Sequence, residues 1–595
     1  MSFIYATLIN KYYFYGGIMK AFRKLYDAQK QDTIRDYINN AIAKYPDNTA
    51  FIIKNRIGKD VTYTNISYKE FGDDLKYLGT SLIDLGLEGK NIAIIGKNRY
   101  EWALSYVSIL NGVGVAVPLD KGLPDQEIES LLVRSHAEAV IFEKEYMEVM
   151  KQIASNNNQI KHFVCMNPDT SDISDTSYGK FKSVHDLLET GKKLVLNGDC
   201  RFENHIIVPK ELATIIFTSG TTSMAKAVML SNYNIASNIY NMDMCEKILS
   251  TDINMAFLPL HHTFGSTGLL LFLSHGVTNV FCDGLRHIQE NLKEYHVTVF
   301  VCVPLLLEAM YKKIYAQIDR QGKTKLIKFA ILLSRFLLKF KIDIRRKLFK
   351  EILDNLGGGL RFVISGASAI DKNVARGFHD FGILTIQGYG LTETSPVLAA
   401  ENEKSIKYGS VGVPLPEVDI VIDHPNEKGI GEIVVKGPNV MLGYYEMPEE
   451  TEKILKNNWF YTGDLGYFDK DNFLFITGRK KNVIVLKNGK NIYPEELEQL
   501  INGLPYVMES MVFGMPKDDD LVLSVKIVYN KEYMMEKLPN LGEKEFKDYI
   551  WKDIKQINST LANYKHIKNL FITDEPMIKT TTQKVKRYEE IKRVL

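Results

Sequence analysis

Short, wholly apolar runs alternate with amphipathic segments along most of the chain. Residues 91–95 (NIAII) form a run of strand length, residues 100–110 carry apolar side chains at helical spacing, and residues 114–119 (GVAVPL) return to a strand. This β-α-β pattern recurs and predicts an α/β protein with a largely parallel sheet. After about residue 409 the texture changes. Short strand patterns at 431–436 (GEIVVK) and 472–477 (NFLFIT) sit between Gly and Pro turns, which predicts a small β-rich subdomain at about 410–480. Residues 478–481 (GRKK) are polar and turn-like. Beyond them come a strand at 483–486, an Asn488-Gly489 turn, and Tyr493-Pro494-Glu495-Glu496. Proline at a first helical position with acids in the first turn starts a helix. The expected division is therefore 1–31 as a lead-in, 32–480 as a large N-terminal domain, and 481–595 as a small α+β domain.

A chain of 595 residues exceeds what one core organises, which agrees with this division. A formal net charge of +2 gives no global field that would select nucleic acid. Five cysteines, none spaced C-x-x-C, indicate neither a disulfide framework nor a zinc site, and a reducing, cytoplasmic setting is expected. Residues 268–274 (GLLLFLS) are apolar but too short to span a bilayer, and predict buried core. The first eighteen residues lack a basic start and are read as an extension of no catalytic consequence, with Met19 an alternative initiator.

Candidate chemistry begins at Ala213. Residues 213–217 read as a buried strand, followed by Thr218-Ser219-Gly220-Thr221-Thr222-Ser223 and then Lys226. Hydroxyls and backbone N–H groups can wrap phosphate oxygens, and a lysine can neutralise them. Taken alone, such a loop is more often only a loop. Four further segments follow in order: Gln387-Gly388-Tyr389-Gly390-Leu391-Thr392-Glu393-Thr394 after a strand at 383–386, Tyr461-Thr462-Gly463-Asp464, Gly478-Arg479, and Lys579-Thr580-Thr581-Thr582-Gln583-Lys584.

In this order and at these separations the segments resemble the adenylate-forming superfamily, from about Asp32 to the C-terminus. Residues 440–466 and 478–498 are most similar to long-chain fatty-acid CoA ligases. The resemblance implies a two-step reaction: ATP and Mg²⁺ activate a fatty acid as acyl-AMP, and coenzyme A takes the acyl group. It implies that Thr218, Ser219, Gly220, Thr221, Thr222 and Lys226 hold the β- and γ-phosphates. Gly366, Ala367 and Ser368, with Gln387, Gly388 and Tyr389, would enclose adenine. Thr392 would meet the α-phosphate, Glu393 the metal, Asp464 the ribose hydroxyls, and Arg479 the ribose or phosphate. Lys584 would be the main catalytic cation of the first step, and His262 would line the acyl site. Without the upstream motifs Lys584 reads as a solvated lysine, and His262 reads equally as a core histidine. Lys481 occupies the implied hinge, and Lys487, Gly489 and Lys490 the implied coenzyme A face.

The chain departs from the family pattern where Ser223, Ala227 and Gln583 replace glycine, and where Ser231-Asn232 stands for a serine–histidine pair. If positive φ is needed there, the loops are strained or altered. Residues 323–350 form the other distinctive stretch. Leu326, Phe329, Leu333, Phe336, Leu337, Phe340, Ile344 and Leu348 recur at helical spacing among lysines and arginines, with Asp343 the only acid. The expected arrangement packs this apolar face on the domain. The alternative is peripheral contact with the inner face of a membrane, collecting fatty acids from the bilayer. Rival readings of the whole chain are an acyl-AMP ligase loading an acyl carrier protein and a degenerate nucleotide- or acyl-binding relative.

Overall fold

Parallel pairing of the apolar runs builds two large sheets. Strand Lys90–Ile95 lies between Gly114–Leu119 and Ala137–Phe142, parallel to both. Together with Gly443–Tyr444, Lys226–Ser231, Leu212–Thr218, His162–Cys165 and Phe181–Ser183 they form an eight-stranded sheet. A nine-stranded sheet has Phe362–Ser365 between Val299–Cys302 and Leu384–Gly390, all parallel. The computed structural model describes residues 24–58, 60–168, 180–218, 225–487, 490–517, 520–539, 542–579 and 585–594. The protein is α/β, as its periodicity predicts.

Helices Ile34–Lys44, Tyr68–Asp84, Tyr100–Ser108, Asn232–Asp243 and Thr263–Ser274 contribute to one apolar core shared with both sheets, and residues 269–273 are part of it. The helix predicted over 100–110 gives way at Ile109 to a π turn in which Gly112 takes φ 109°. Apolar spacing runs through this turn because its residues are buried too.

A five-stranded sheet from Asp419–Asp423, Gly431–Lys436, Leu455–Lys456, Trp459–Phe468 and Leu474–Arg479 forms the β-rich region. Its Val411, Ile420, Ile433 and Phe460 join the shared core. Beyond Lys481, a three-stranded sheet of Val507–Lys517, Asp520–Tyr529 and Asn569–Thr573 has a core of its own with helices Pro494–Asn502 and Glu543–Ser559.

The stretch 323–350 departs from expectation. It is a helix only over Thr324–Leu338, followed by a left-handed Lys341 (φ 61°) and two short helices, Arg345–Leu348 and Lys350–Asp354. The expected inward face is largely outward: Leu326, Phe329, Leu333, Phe336, Phe340 and Leu348 are exposed. Ala330, Ile331 and Ser334 take the buried position against Ile318, Phe349 and Phe381. The small side chains of Ala330 and Ser334 allow a close approach on either side of Ile331. Arg335, paired with Asp380 at 2.6 Å, fixes the helix's rotation.

Candidate functional site

Thr392 and Glu393 lie in a 3-10 turn, Thr392–Thr394, between the antiparallel strands Leu384–Gly390 and Val397–Ala400. The hairpin closes because Gly390 has no side chain: a Cβ there would sit 1.8 Å from Pro396 O. Asn439, fully buried, donates from Nδ2 to Thr394 O (2.8 Å) and Val397 O (2.9 Å), while its backbone carbonyl accepts from Ser395 Oγ (2.9 Å). Removing this amide strands a buried carbonyl. Asn439→Ala is expected to destabilise the N-terminal domain by about 2 kcal/mol, seen as a lower thermal midpoint, with loss of activity from a loosened Glu393 turn.

Two charged clusters meet beside this turn. In the first, Met441 N donates to Glu393 O (2.9 Å), and strand Gly443–Tyr444 pairs with Lys226–Ser231. The pairing brings Tyr444 Oη to Glu393 Oε1 (2.8 Å) and its ring under Lys226 Nζ, 4.7 Å from the centroid. Lys226 also pairs with Glu450 at 2.7 Å, and with Lys453 it holds the Glu450 carboxyl down at about 2. Burial, and then Glu393, push the Tyr444 phenol well up, so it stays a donor to that carboxylate.

In the second cluster, Asp464 and Arg479 face each other across adjacent antiparallel strands. Arg479 Nε lies 2.8 Å from Asp464 Oδ1, and Tyr389 Oη donates to Asp464 Oδ2 at 2.8 Å. Burial alone would lower the Arg479 guanidinium. The charges of Asp464, Tyr389 and Glu393 outweigh it and hold Arg479 above its ordinary value. Arg479 also acts on the Tyr444 phenol, so the two clusters share one electrostatic environment. A cleft of about 300 Å³ lined by Gly463, Arg479, Lys480 and Lys481 opens beside Asp464.

The loop Gly366-Ala367-Ser368 follows strand Phe362–Ser365, with Ala367 in the left-handed region (φ 70°). It leans on the helix that His262 caps: a Cβ on Gly366 would lie 2.7 Å from Phe264 Cζ. Gln387 is buried and holds this loop, its Oε1 accepting from Ile370 N at 3.2 Å. Gly388 leads on to Tyr389 in the same strand. The His262 ring lies tilted against that of His261, centroids 4.1 Å apart, and His261 Nε2 lies 3.5 Å from Asp120 Oδ1, so His262 sits in a polar cluster.

Thr218 ends strand Leu212–Thr218 opposite Lys226, its hydroxyl donating to Lys226 O at 3.2 Å. Ser219, Gly220, Thr221, Thr222, Gly489 and Lys584, with Ser223 and Gln583, lie outside the described residues. Lys487 and Lys490 lie in the C-terminal region at the hairpin of Ile484–Val485 and Asn491–Ile492, and Lys490 reaches the Tyr564 ring at 5.9 Å. Lys481 is in the turn Lys480–Asn482.

Two departures have structural explanations. Ala227 is a regular strand residue opposite Phe217, outside the positive-φ positions, so no glycine is needed there. Ser231 caps helix Asn232–Asp243, and Asn232 accepts from Ile34 N (3.0 Å) and donates to Leu110 O (3.1 Å). Asn232 therefore ties three segments together away from the charged clusters.

Tyr444, Glu450 and Asp120 were not singled out by sequence. Tyr444 and Glu450 lie in the 440–466 segment, whose likeness to long-chain ligases was their only signal.

Comparison with known proteins agrees with this arrangement. Residues 38–445 match the model of the AMP-binding enzyme family, and residues 481–593 that of the AMP-binding enzyme C-terminal domain. The chain is 29% identical to long-chain-fatty-acid–CoA ligase 5 of Mus musculus over 577 residues, covering 89% of this chain and 82% of that one. It is 28% identical to the long-chain-fatty-acid–CoA ligase of Haemophilus influenzae over 530 residues, covering 84% and 86%. The structure of the anthranilate CoA ligase AuaEII with anthranoyl-AMP superposes with a TM-score of 0.72 at 17% identity, over 97% of this chain and 99% of that one, and shows the same fold.

Proposed function

We propose, because the chain belongs to the AMP-binding enzyme family, that it is an AMP-forming acid–thiol ligase that converts a medium- or long-chain fatty acid to its coenzyme A thioester. The observation that carries this reading is the convergence of Lys226, Glu393, Asp464, Arg479 and Tyr389 around one turn and one strand pair. Two cations suit phosphate oxygens. The buried Asp464 carboxylate still has lone pairs for a ribose diol after accepting from Tyr389 and Arg479. The Tyr389 ring supports a purine face.

In the first step a carboxylate oxygen of the acid attacks the α-phosphorus, and the bond to pyrophosphate breaks. Lys226 and Arg479 offset the charge of the triphosphate. Lys584 is the candidate for the cation between the two reacting anions. In the second step the thiol of coenzyme A attacks the acyl carbon, its proton is lost, and AMP leaves. No protein nucleophile is required. Glu393 uses one carboxylate oxygen for Tyr444, and one further oxygen suits Mg²⁺, which takes few protein carboxylates and several phosphate or water oxygens. Bound there, the ion would neutralise phosphate charge.

AMP release from ATP should depend on both a fatty acid and coenzyme A, with a maximum at medium or long chains. Absence of turnover across a chain-length series would reject the reading. Turnover that needs a carrier-protein thiol in place of coenzyme A would reassign the acceptor. Tyr444→Phe should lower kcat/KM for ATP by about three- to tenfold, the worth of one hydrogen bond, and shift the Mg²⁺ dependence upward.

A further inference from the structure

The helix Thr324–Leu338 and the turn after it carry an apolar stripe that no other element among the described residues covers. Leu326, Phe329, Leu332, Phe336 and Phe340 are 61%, 64%, 64%, 56% and 62% exposed. Their spacing places them on one side of the helix, opposite the buried Ala330, Ile331 and Ser334. Lys325, Lys328 and Lys339 project along one flank of the stripe, and Lys341 follows in the turn. None of these four lysines forms an ion pair among the described residues. The one acid of the stretch, Asp343, is neutralised by Arg345 at 2.7 Å.

We propose that this face docks on an anionic lipid bilayer, the helix lying in the plane of the interface. The helix has fifteen residues, and no helix among the described residues is long and apolar enough to cross a membrane. Its other side is part of the protein core, so it rests on the surface with its aromatic and leucine side chains below the headgroups. The lysine flank selects anionic lipid by charge complementarity. A second copy of the chain is disfavoured as occupant, because a two-fold contact through this stripe would bring the two lysine rows together.

The basic residues divide into two sets. Arg345 donates to His379 O (2.7 Å), and Arg346 donates to Leu360 O (2.8 Å) and Gly358 O (2.7 Å). These two arginines brace the fold and are unsuitable as probes of docking. Lys325, Lys328, Lys339 and Lys341 are suitable.

The test is flotation of the full chain with phosphatidylcholine vesicles, with and without phosphatidylglycerol, at low and high salt. It does not depend on the ligase reading, since binding is measured without substrate. The expected result is flotation with anionic vesicles, weakened by salt. Each lysine adds about fivefold to partition, so the Lys325/Lys328/Lys339/Lys341→Gln variant should lose on the order of several hundredfold. A Phe329→Ser/Phe336→Ser variant should lose about tenfold or more through its apolar contacts. Both variants alter exposed side chains, and unchanged circular dichroism and thermal midpoint would show intact folds. Failure of the wild type to float, or flotation of both variants like the wild type, overturns the proposal. So does a concentration-dependent dimer in light scattering that the phenylalanine variant abolishes, which would assign the face to self-association.

Discussion

Glu393→Gln is expected to lower fatty-acid-dependent ATP–pyrophosphate exchange by about a thousandfold, because under the proposed function its carboxylate would hold the metal that offsets phosphate charge in the transition state. The amide is close in shape. Its oxygen can still accept from Tyr444 Oη, and the backbone contact from Met441 N to Glu393 O is untouched. Stability should therefore change little, which separates loss of charge from loss of fold. Two further readouts identify the role. Raising Mg²⁺ should recover part of the rate, since a weakened site fills at higher concentration. Thioester formation from preformed acyl-AMP and coenzyme A should stay within about threefold of the wild type, because the pyrophosphate-releasing step is already past. Equal losses in both half-reactions would mean that Glu393 supports the turn and not the first chemical step.

The residues that the structure gathers into the candidate site were legible in the sequence because they come in contiguous pieces. Tyr389, Thr392 and Glu393 lie within one strand and turn, and Asp464 and Arg479 lie in neighbouring strands. The partners of these residues were not legible. Tyr444 reaches Glu393 only because its two-residue strand pairs with the strand carrying Lys226, and no local pattern announces so short a pairing. Glu450 looked like an ordinary acid in a helix's first turn, yet it holds Lys226. The helix beginning at Thr324 shows a different limit. Periodicity identifies which residues share a face, but when a helix has both a bulky and a small-residue stripe, packing decides which one the core receives. Here Ala330, Ile331 and Ser334 pack inward, and Phe329 and Phe336 are left outside. Asn232 stands where the family pattern often has a histidine. Its place is set by Ile34 and Leu110, residues far away in sequence.

Asp464→Ala should have the second large effect, a fall of about a hundred- to a thousandfold in kcat/KM for ATP, because it removes a buried acceptor and leaves the half-exposed Arg479 without its nearest anion. Asp464 is 5% exposed and accepts from both Arg479 and Tyr389. Without it, burial would lower the Arg479 guanidinium unopposed by its nearest anion, and the Tyr389 ring would lose its anchor. Some loss would follow from this disorder alone, so the variant must be read against a change in the ligand. If Asp464 accepts the ribose hydroxyls, the wild type should prefer ATP to its 2′-deoxy analogue, because a buried carboxylate is poorly served by a missing donor. In Asp464→Ala that preference should shrink towards one, while Arg479→Ala should weaken both nucleotides and leave much of the preference in place. The cycle isolates the contact from general damage, since both variants break the same ion pair but only one removes the acceptor. An undiminished preference in Asp464→Ala would place the ribose elsewhere and leave Asp464 as the residue that orients Arg479 and Tyr389.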